Sequence, residues 1–118
     1  MDLNKLEAFC KKLKGTTKDI KWGNDLCFSI GGKLYCVAGL EPGSGISFKV
    51  LPEEFAELTS RDGIIPAHYV ARYHWITINN FNSITKDEWA YYIKQSYQLI
   101  FNKLNKKLQQ EILIGIKK

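Results

Sequence analysis

The apolar positions of this chain change spacing from three-to-four residues to two and back again, and the changes mark out its elements. Leu3, Leu6, Cys10 and Leu13 form one stripe with Phe9 beside it, which predicts a helix over residues 3–14. Asp2 is placed to cap that helix and Gly15 to end it in the left-handed conformation. The runs Leu26–Ile30 and Lys33–Ala38 read as strands joined at Gly31-Gly32, where paired glycines supply the positive φ of a tight hairpin. Its register has two readings. A two-residue turn pairs Phe28 with Tyr35 on one face, whereas a three-residue loop with a bulge pairs Phe28 with Cys36 and sends Tyr35 to the other. The second strand is apolar on both sides, which makes it central and calls for cover on its second face from a loop, the tail or a partner.

Residues 41–45 form a turn, and Ile46-Ser47-Phe48-Lys49-Val50 alternates with Ile46, Phe48 and Val50 inward. Pro52 opens a short helix with Glu53 and Glu54 in its first turn, and residues 60–63 end it. After Pro66 the chain is expected to be extended again, and Trp75-Ile76-Thr77-Ile78 is a strand with Ile76 and Ile78 on one face and Trp75 on the other. Thr85 and Glu88 form a capping box, with Ile84 stapled against Trp89. Trp89, Ile93, Tyr97, Ile100, Leu104 and Leu108 then make the buried stripe of the final helix, which should end at about residues 104–108. A break near Asn105 is expected because an unbroken helix to Ile114 would be about 45 Å long. Residues 109–118 form a tail. With no repeat or linker, the chain reads as one α+β domain over 1–118, in the order α-β-β-β-α-β(β)-α, with helices packed on an antiparallel sheet.

Composition refines this picture more than it changes it. At 118 residues, 45% hydrophobic, the chain can bury a core of its own. No run approaches the roughly 18 apolar residues of a membrane span, and residues 1–5 lack the basic and apolar segments of a signal peptide. Cys10, Cys27 and Cys36 fall in apolar patterns without a C-x-x-C pair, and buried reduced thiols point to the cytoplasm. The net charge of +5 lies in the second half: residues 1–60 hold eight Lys against eight acids, and residues 61–118 hold nine Lys/Arg against four. Much of the excess is Lys103, Lys106, Lys107, Lys117 and Lys118.

Three stretches together carry a resemblance. The first is Trp22-Gly23 followed by residues 27–33, Cys-Phe-Ser-Ile-Gly-Gly-Lys; the second is Phe48-Lys49 ahead of the Pro52 helix. The third is Pro66-Ala67-His68-Tyr69-Val70-Ala71-Arg72, then Trp75, with Ser96-Tyr97 in the final helix. In order and spacing over about residues 15–107 they resemble the MmcQ/YjbR family. The chain departs from it in having Asn105 where a proline is common, and in an apolar tail from Leu108 to Ile116. The resemblance implies a fold similar to secretion-chaperone-like α+β domains, with frataxin-like topology also compared, and a double-wing arrangement to which DNA binding is ascribed.

No catalytic constellation is visible in the sequence, and the expectation is a non-enzymatic domain without metal or cofactor. His68 and His74 are six apart with no acid or thiol at ligand spacing. Gly43-Ser44-Gly45 lacks the frame of a nucleophile elbow, and the glycines around 31–45 lack a following G-K-[ST]. Asp19 and Asp25, flanking Trp22-Gly23, read as solvated loop acids. What remains is surface chemistry: Lys33, Tyr35 and Lys49 could share an outward sheet face with Trp75, with Arg72 at its edge. Lysines neutralise phosphate and aromatic rings stack on bases. Weak DNA contact through Lys21, Lys33, Lys49 and Arg72 is therefore the first reading, with Trp75 covered by the 66–72 segment and supporting them from beneath. The second reading is a homodimer or protein-partner surface, built from the two-sided apolar strand with Ile112, Leu113, Ile114 and Ile116.

Overall fold

The computed structural model describes residues 1–68 and 70–115. Helix α1 (Leu3–Lys11) is followed by four strands, β1 (Thr16–Lys21), β2 (Asp25–Ile30), β3 (Lys33–Gly39) and β4 (Ile46–Lys49). Helix α2 (Pro52–Thr59), strands β5 (Ile64–Pro66) and β6 (Trp75–Ile78), and helices α3 (Lys86–Phe101) and α4 (Lys106–Leu113) complete the described chain. The α+β class stands as expected. The strands form one six-stranded sheet in the order β1-β2-β3-β4-β6-β5, antiparallel throughout, with β3 in its interior. All four helices contribute side chains to a single core: Leu6 and Cys10 from α1, Leu58 from α2, Trp89 and Ile93 from α3, and Ile112 from α4. They meet the sheet face that carries Phe28, Ile30, Cys36, Phe48, Ile76 and Ile78.

The helix ends follow capping chemistry. Lys5 N–H donates to Asp2 Oδ1 at 2.8 Å. Thr85 and Glu88 exchange side-chain and backbone hydrogen bonds at 3.1 and 2.9 Å. Asn105 interrupts the last helix as expected, but as a second cap: its Oδ1 accepts from Leu108 N–H at 2.8 Å and starts α4. Part of the expected tail, residues 109–113, is thus helical. The first helix ends at Lys11 rather than residue 14, and Gly15 beyond it has φ +81°.

One strand has no counterpart in the apolar pattern. β1 is Thr-Thr-Lys-Asp-Ile-Lys, exposed over residues 17–20, and lies at the sheet edge, where a polar strand discourages edge-to-edge pairing. Two further expectations are corrected. The segment after Pro66 is not extended: the extended part is β5, which precedes it, and a turn and one 3-10 turn (Ala71–Tyr73) follow. The hairpin also combines features of both readings. Gly31 and Gly32, at φ +58° and +81°, make a two-residue turn with Ile30 opposite Lys33. A bulge then leaves Tyr35 unpaired between Leu34, opposite Ser29, and Cys36, opposite Phe28. Tyr35 and Cys36 consequently both face the helices and are fully buried. The Tyr35 ring meets Tyr97 edge-on at 5.4 Å, and its hydroxyl shares a 2.8 Å hydrogen bond with Thr16 Oγ1. Gly31 is also a point of close approach. A Cβ there would lie 2.6 Å from Leu104, which with Leu108 caps the hairpin turn.

Regular pairing of β3 with β4 stops at Cys36 and Phe48, and beyond it a side chain of α3 joins the two strands. Ser96, fully buried, donates from Oγ to Tyr35 O at 2.6 Å and accepts from Lys49 N–H at 3.0 Å. A side-chain hydroxyl thus stands between two backbone groups that would otherwise lack partners. This gives Ser96-Tyr97 a physical role in the sequence pattern: Ser96 bridges the strands while Tyr97 packs on Tyr35 and donates its hydroxyl to Lys14 O.

Candidate functional site

The sheet face opposite the helices carries Leu34, Val37, Ser47, Trp75 and Thr77, none of them fully buried. They form the floor of a groove of about 520 Å³. Trp22 and the turn around Ser44 make one rim, and Ala67, His68 and Val70 the other. Ser47 and Thr77 sit opposite each other on β4 and β6 and share a 2.8 Å hydrogen bond between their hydroxyls. Gly39 lets the 40–45 turn fold back over the end of the groove, since a Cβ there would lie 2.0 Å from Ser44 Cβ.

Trp22 is the unusual member. It lies in the turn between β1 and β2 with φ +52°, a conformation that bulky side chains rarely adopt, and it is 72% exposed. From the sequence Trp22 is a family marker without a site role, because nothing in the residue type announces positive φ. Asp25, two residues beyond the turn glycine, also lines the groove.

At the other end of the groove the chain leaves the sheet after Pro66 and returns at Trp75, with Ala67 N–H donating to Trp75 O at 3.0 Å. His74, at φ +66°, turns the chain back, and its carbonyl accepts from Val50 N–H at 2.9 Å. This excursion presents Arg72 and Tyr73 beside Lys49. Lys49 Nζ donates to Tyr73 O at 2.7 Å, and the Arg72 guanidinium lies 4.8 Å from the centre of the Tyr73 ring. Lys103, just beyond α3, stands next to Lys49. Partial burial and this neighbouring ammonium group together lower the pKa of Lys49 below the ordinary lysine value. Among the described residues, no ion pair neutralises Lys49, Lys103 or Arg72.

The expected site residues separate accordingly. Lys49, Arg72 and Trp75 come together; Trp75 is paired with Lys49 across β4 and β6. Trp75 is partly buried and lines the groove together with Ala67, His68 and Val70 of the segment expected to cover it. Lys33 pairs with Ile30, so alternation places it on the helix-bearing side at the hairpin tip, and Tyr35 is buried on that side too; neither shares a face with Lys49 and Trp75. Lys21 pairs with Asp25 at the opposite end of the strands. Lys103 is hidden in the sequence because it looks like one more lysine of a basic tail. Ile112 of the expected partner surface is buried against its own domain, near Gly15 and Ile30, whereas Leu113 and Ile114 are exposed. Tyr69, Ile116, Lys117 and Lys118 lie outside the described residues.

Cys10, Cys27 and Cys36 are free and buried. The described residues contain no cluster of three or more His, Cys, Asp or Glu side chains able to hold a metal ion, and no helix long and apolar enough to cross a membrane.

The model of the YjbR family matches residues 11–99. The crystal structure of a Deinococcus radiodurans protein with a DUF419 domain superposes with a TM-score of 0.84 at 21% identity, covering 93% of this chain and 86% of that one. A Pseudomonas syringae protein superposes with a TM-score of 0.70 at 25% identity, covering 85% of this chain and 99% of that one. No curated protein matches by sequence.

Proposed function

The chain belongs to the YjbR family, and from that premise we propose that it is a small non-enzymatic domain that binds DNA weakly, through phosphate contacts from Lys49, Lys103 and Arg72. The observation that carries this reading is the gathering of Lys49 and Arg72 around Tyr73, with Lys103 near enough to bear on the Lys49 charge and no ion pair to any of the three among the described residues. Two ammonium groups held together repel each other, and a phosphate between them turns that repulsion into attraction. Arg72 extends the cationic edge, and its position over Tyr73 leaves guanidinium N–H groups for a second phosphate. Lys33 projects on the helix-bearing side and Lys21 lies at the Trp22 end of β1, away from Lys49, so neither is assigned to this contact.

Titrating labelled DNA at several salt concentrations tests the reading. Removing one cation that touches a phosphate should reduce the salt slope by about 1. Lys49→Gln and Lys103→Gln are each expected to do so, whereas Lys21→Gln is expected to leave the slope nearly unchanged. Absence of binding by the parent at low salt would refute the proposal.

A protein-interaction surface is the second reading, and the exposed Ile20, Trp22 and Leu40 favour it. They are 56%, 72% and 38% exposed and belong to the turn end of β1 and to the segment after β3. Light scattering separates the two readings: association that rises with concentration and is abolished in Trp22→Ala would support the second, and a monomer throughout would count against self-association.

A further inference from the structure

We infer that the groove between Trp22 and Trp75 takes unpaired nucleobases, so that the preferred ligand is single-stranded or locally opened DNA rather than an intact duplex. This rests on the DNA-binding reading above and adds to it which form of DNA is recognised. The volume of about 520 Å³ is in the range of small-molecule sites and open on one side. Two indoles line it without being used up by the core: Trp22 is 72% exposed and Trp75 is half-buried. They sit on different parts of the sheet, one in the β1–β2 turn and one on β6, with β3 and β4 between. That spacing suits two separate bases of one strand, each stacked on its own ring, better than one base held between two rings.

Charge is distributed in the same sense. The cations Lys49, Lys103 and Arg72 gather at the Trp75 end, while the groove floor is neutral. A strand whose phosphates follow the cations can therefore turn its bases onto the floor, where a duplex keeps its bases stacked and paired. The Ser47 and Thr77 hydroxyls bond to each other at 2.8 Å and retain further donor and acceptor capacity for base edges. Asp25 adds an acceptor for an exocyclic amine near the Trp22 end.

The backbone of Trp22 supplies an independent argument. A glycine would suit φ +52° with less strain, and exposure at 72% means the indole gains little from packing. A strained, exposed aromatic ring at the rim of a groove is accounted for by a ligand that stacks on it.

The test compares three probes at low salt by tryptophan fluorescence: a thymidine 12-mer, the same strand in duplex with its complement, and an abasic strand of equal length. The 12-mer is expected to bind at least tenfold more tightly than the duplex or the abasic strand. Trp22→Ala should weaken the 12-mer roughly 5- to 100-fold while leaving abasic binding unchanged. Trp22→Gly should do the same and melt no lower than the parent, which separates a binding role from a folding one. Equal binding of the 12-mer and either comparison probe would overturn the groove assignment while leaving the phosphate contacts standing. Failure of all three probes to bind would overturn both.

Discussion

Ser96→Ala is expected to destabilise the domain by about 2–6 kcal/mol, far more than loss of one exposed hydroxyl would. The site is fully buried, and the hydroxyl serves both Tyr35 O, at 2.6 Å, and Lys49 N–H, at 3.0 Å. Alanine leaves both backbone groups unpaired, at about 1–3 kcal/mol each. Regular pairing of β3 with β4 stops at Cys36 and Phe48, so the ladder itself offers these two groups no partner. Against a typical total of roughly 5–15 kcal/mol this is a large fraction, readable as a shifted midpoint in urea with an unchanged m-value. A loss below about 1 kcal/mol would mean that a water molecule replaces the hydroxyl in the bridge. The same substitution should weaken DNA binding, since it frees the backbone from which Lys49 projects.

Phe48→Ala should cost about 3–5 kcal/mol, through the cavity left behind. Phe48 is fully buried on β4, one residue before Lys49, opposite Cys36 of β3 and Ile76 of β6. Its ring meets Trp89 edge-on at 6.2 Å and stacks on Tyr92 at 6.4 Å. Truncation would therefore remove the ring by which α3 holds the middle of the sheet. Thermal melting followed by near-ultraviolet circular dichroism reads the change directly through those aromatic neighbours. A melting temperature within a degree or two of the parent's would mean that α3 collapses onto the sheet to fill the space.

These two positions also mark the reach of sequence reading. Phe48 is legible because strict alternation of Ile46, Phe48 and Val50 leaves little doubt about the inward face. The caps at Asp2 and Thr85 are legible because each is a local pattern with a local hydrogen bond, whereas at Asn105 only the break is legible, from helix length. Strand β1 is not: apart from Ile20 its side chains are polar, and it is held as a strand by its partner β2. Nor is the placement of Tyr35, since a bulge sets aside the two-residue alternation on which the inference depends. The groove is half legible. Trp75 can be assigned to the face away from the helices, but its nearness to Trp22 is a tertiary fact, and so is the approach of Lys103 to Lys49 across the end of the sheet.

The seating of Leu104 over Gly31 has a consequence for how the protein is made. Synthesis proceeds from the N-terminus, so the β2–β3 hairpin leaves the ribosome long before the residues that cover its turn. Leu104 follows Gly31 by roughly 70 residues, an interval of roughly 4–14 s at about 5–20 residues per second. For most of that interval neither α3 nor α4 has been made, and Phe28, Ile30, Tyr35 and Cys36 lack the helices that cover them. The bulge carbonyl of Tyr35 likewise awaits Ser96. Closure of the core over the hairpin therefore waits on helices that are made later than the sheet they cover.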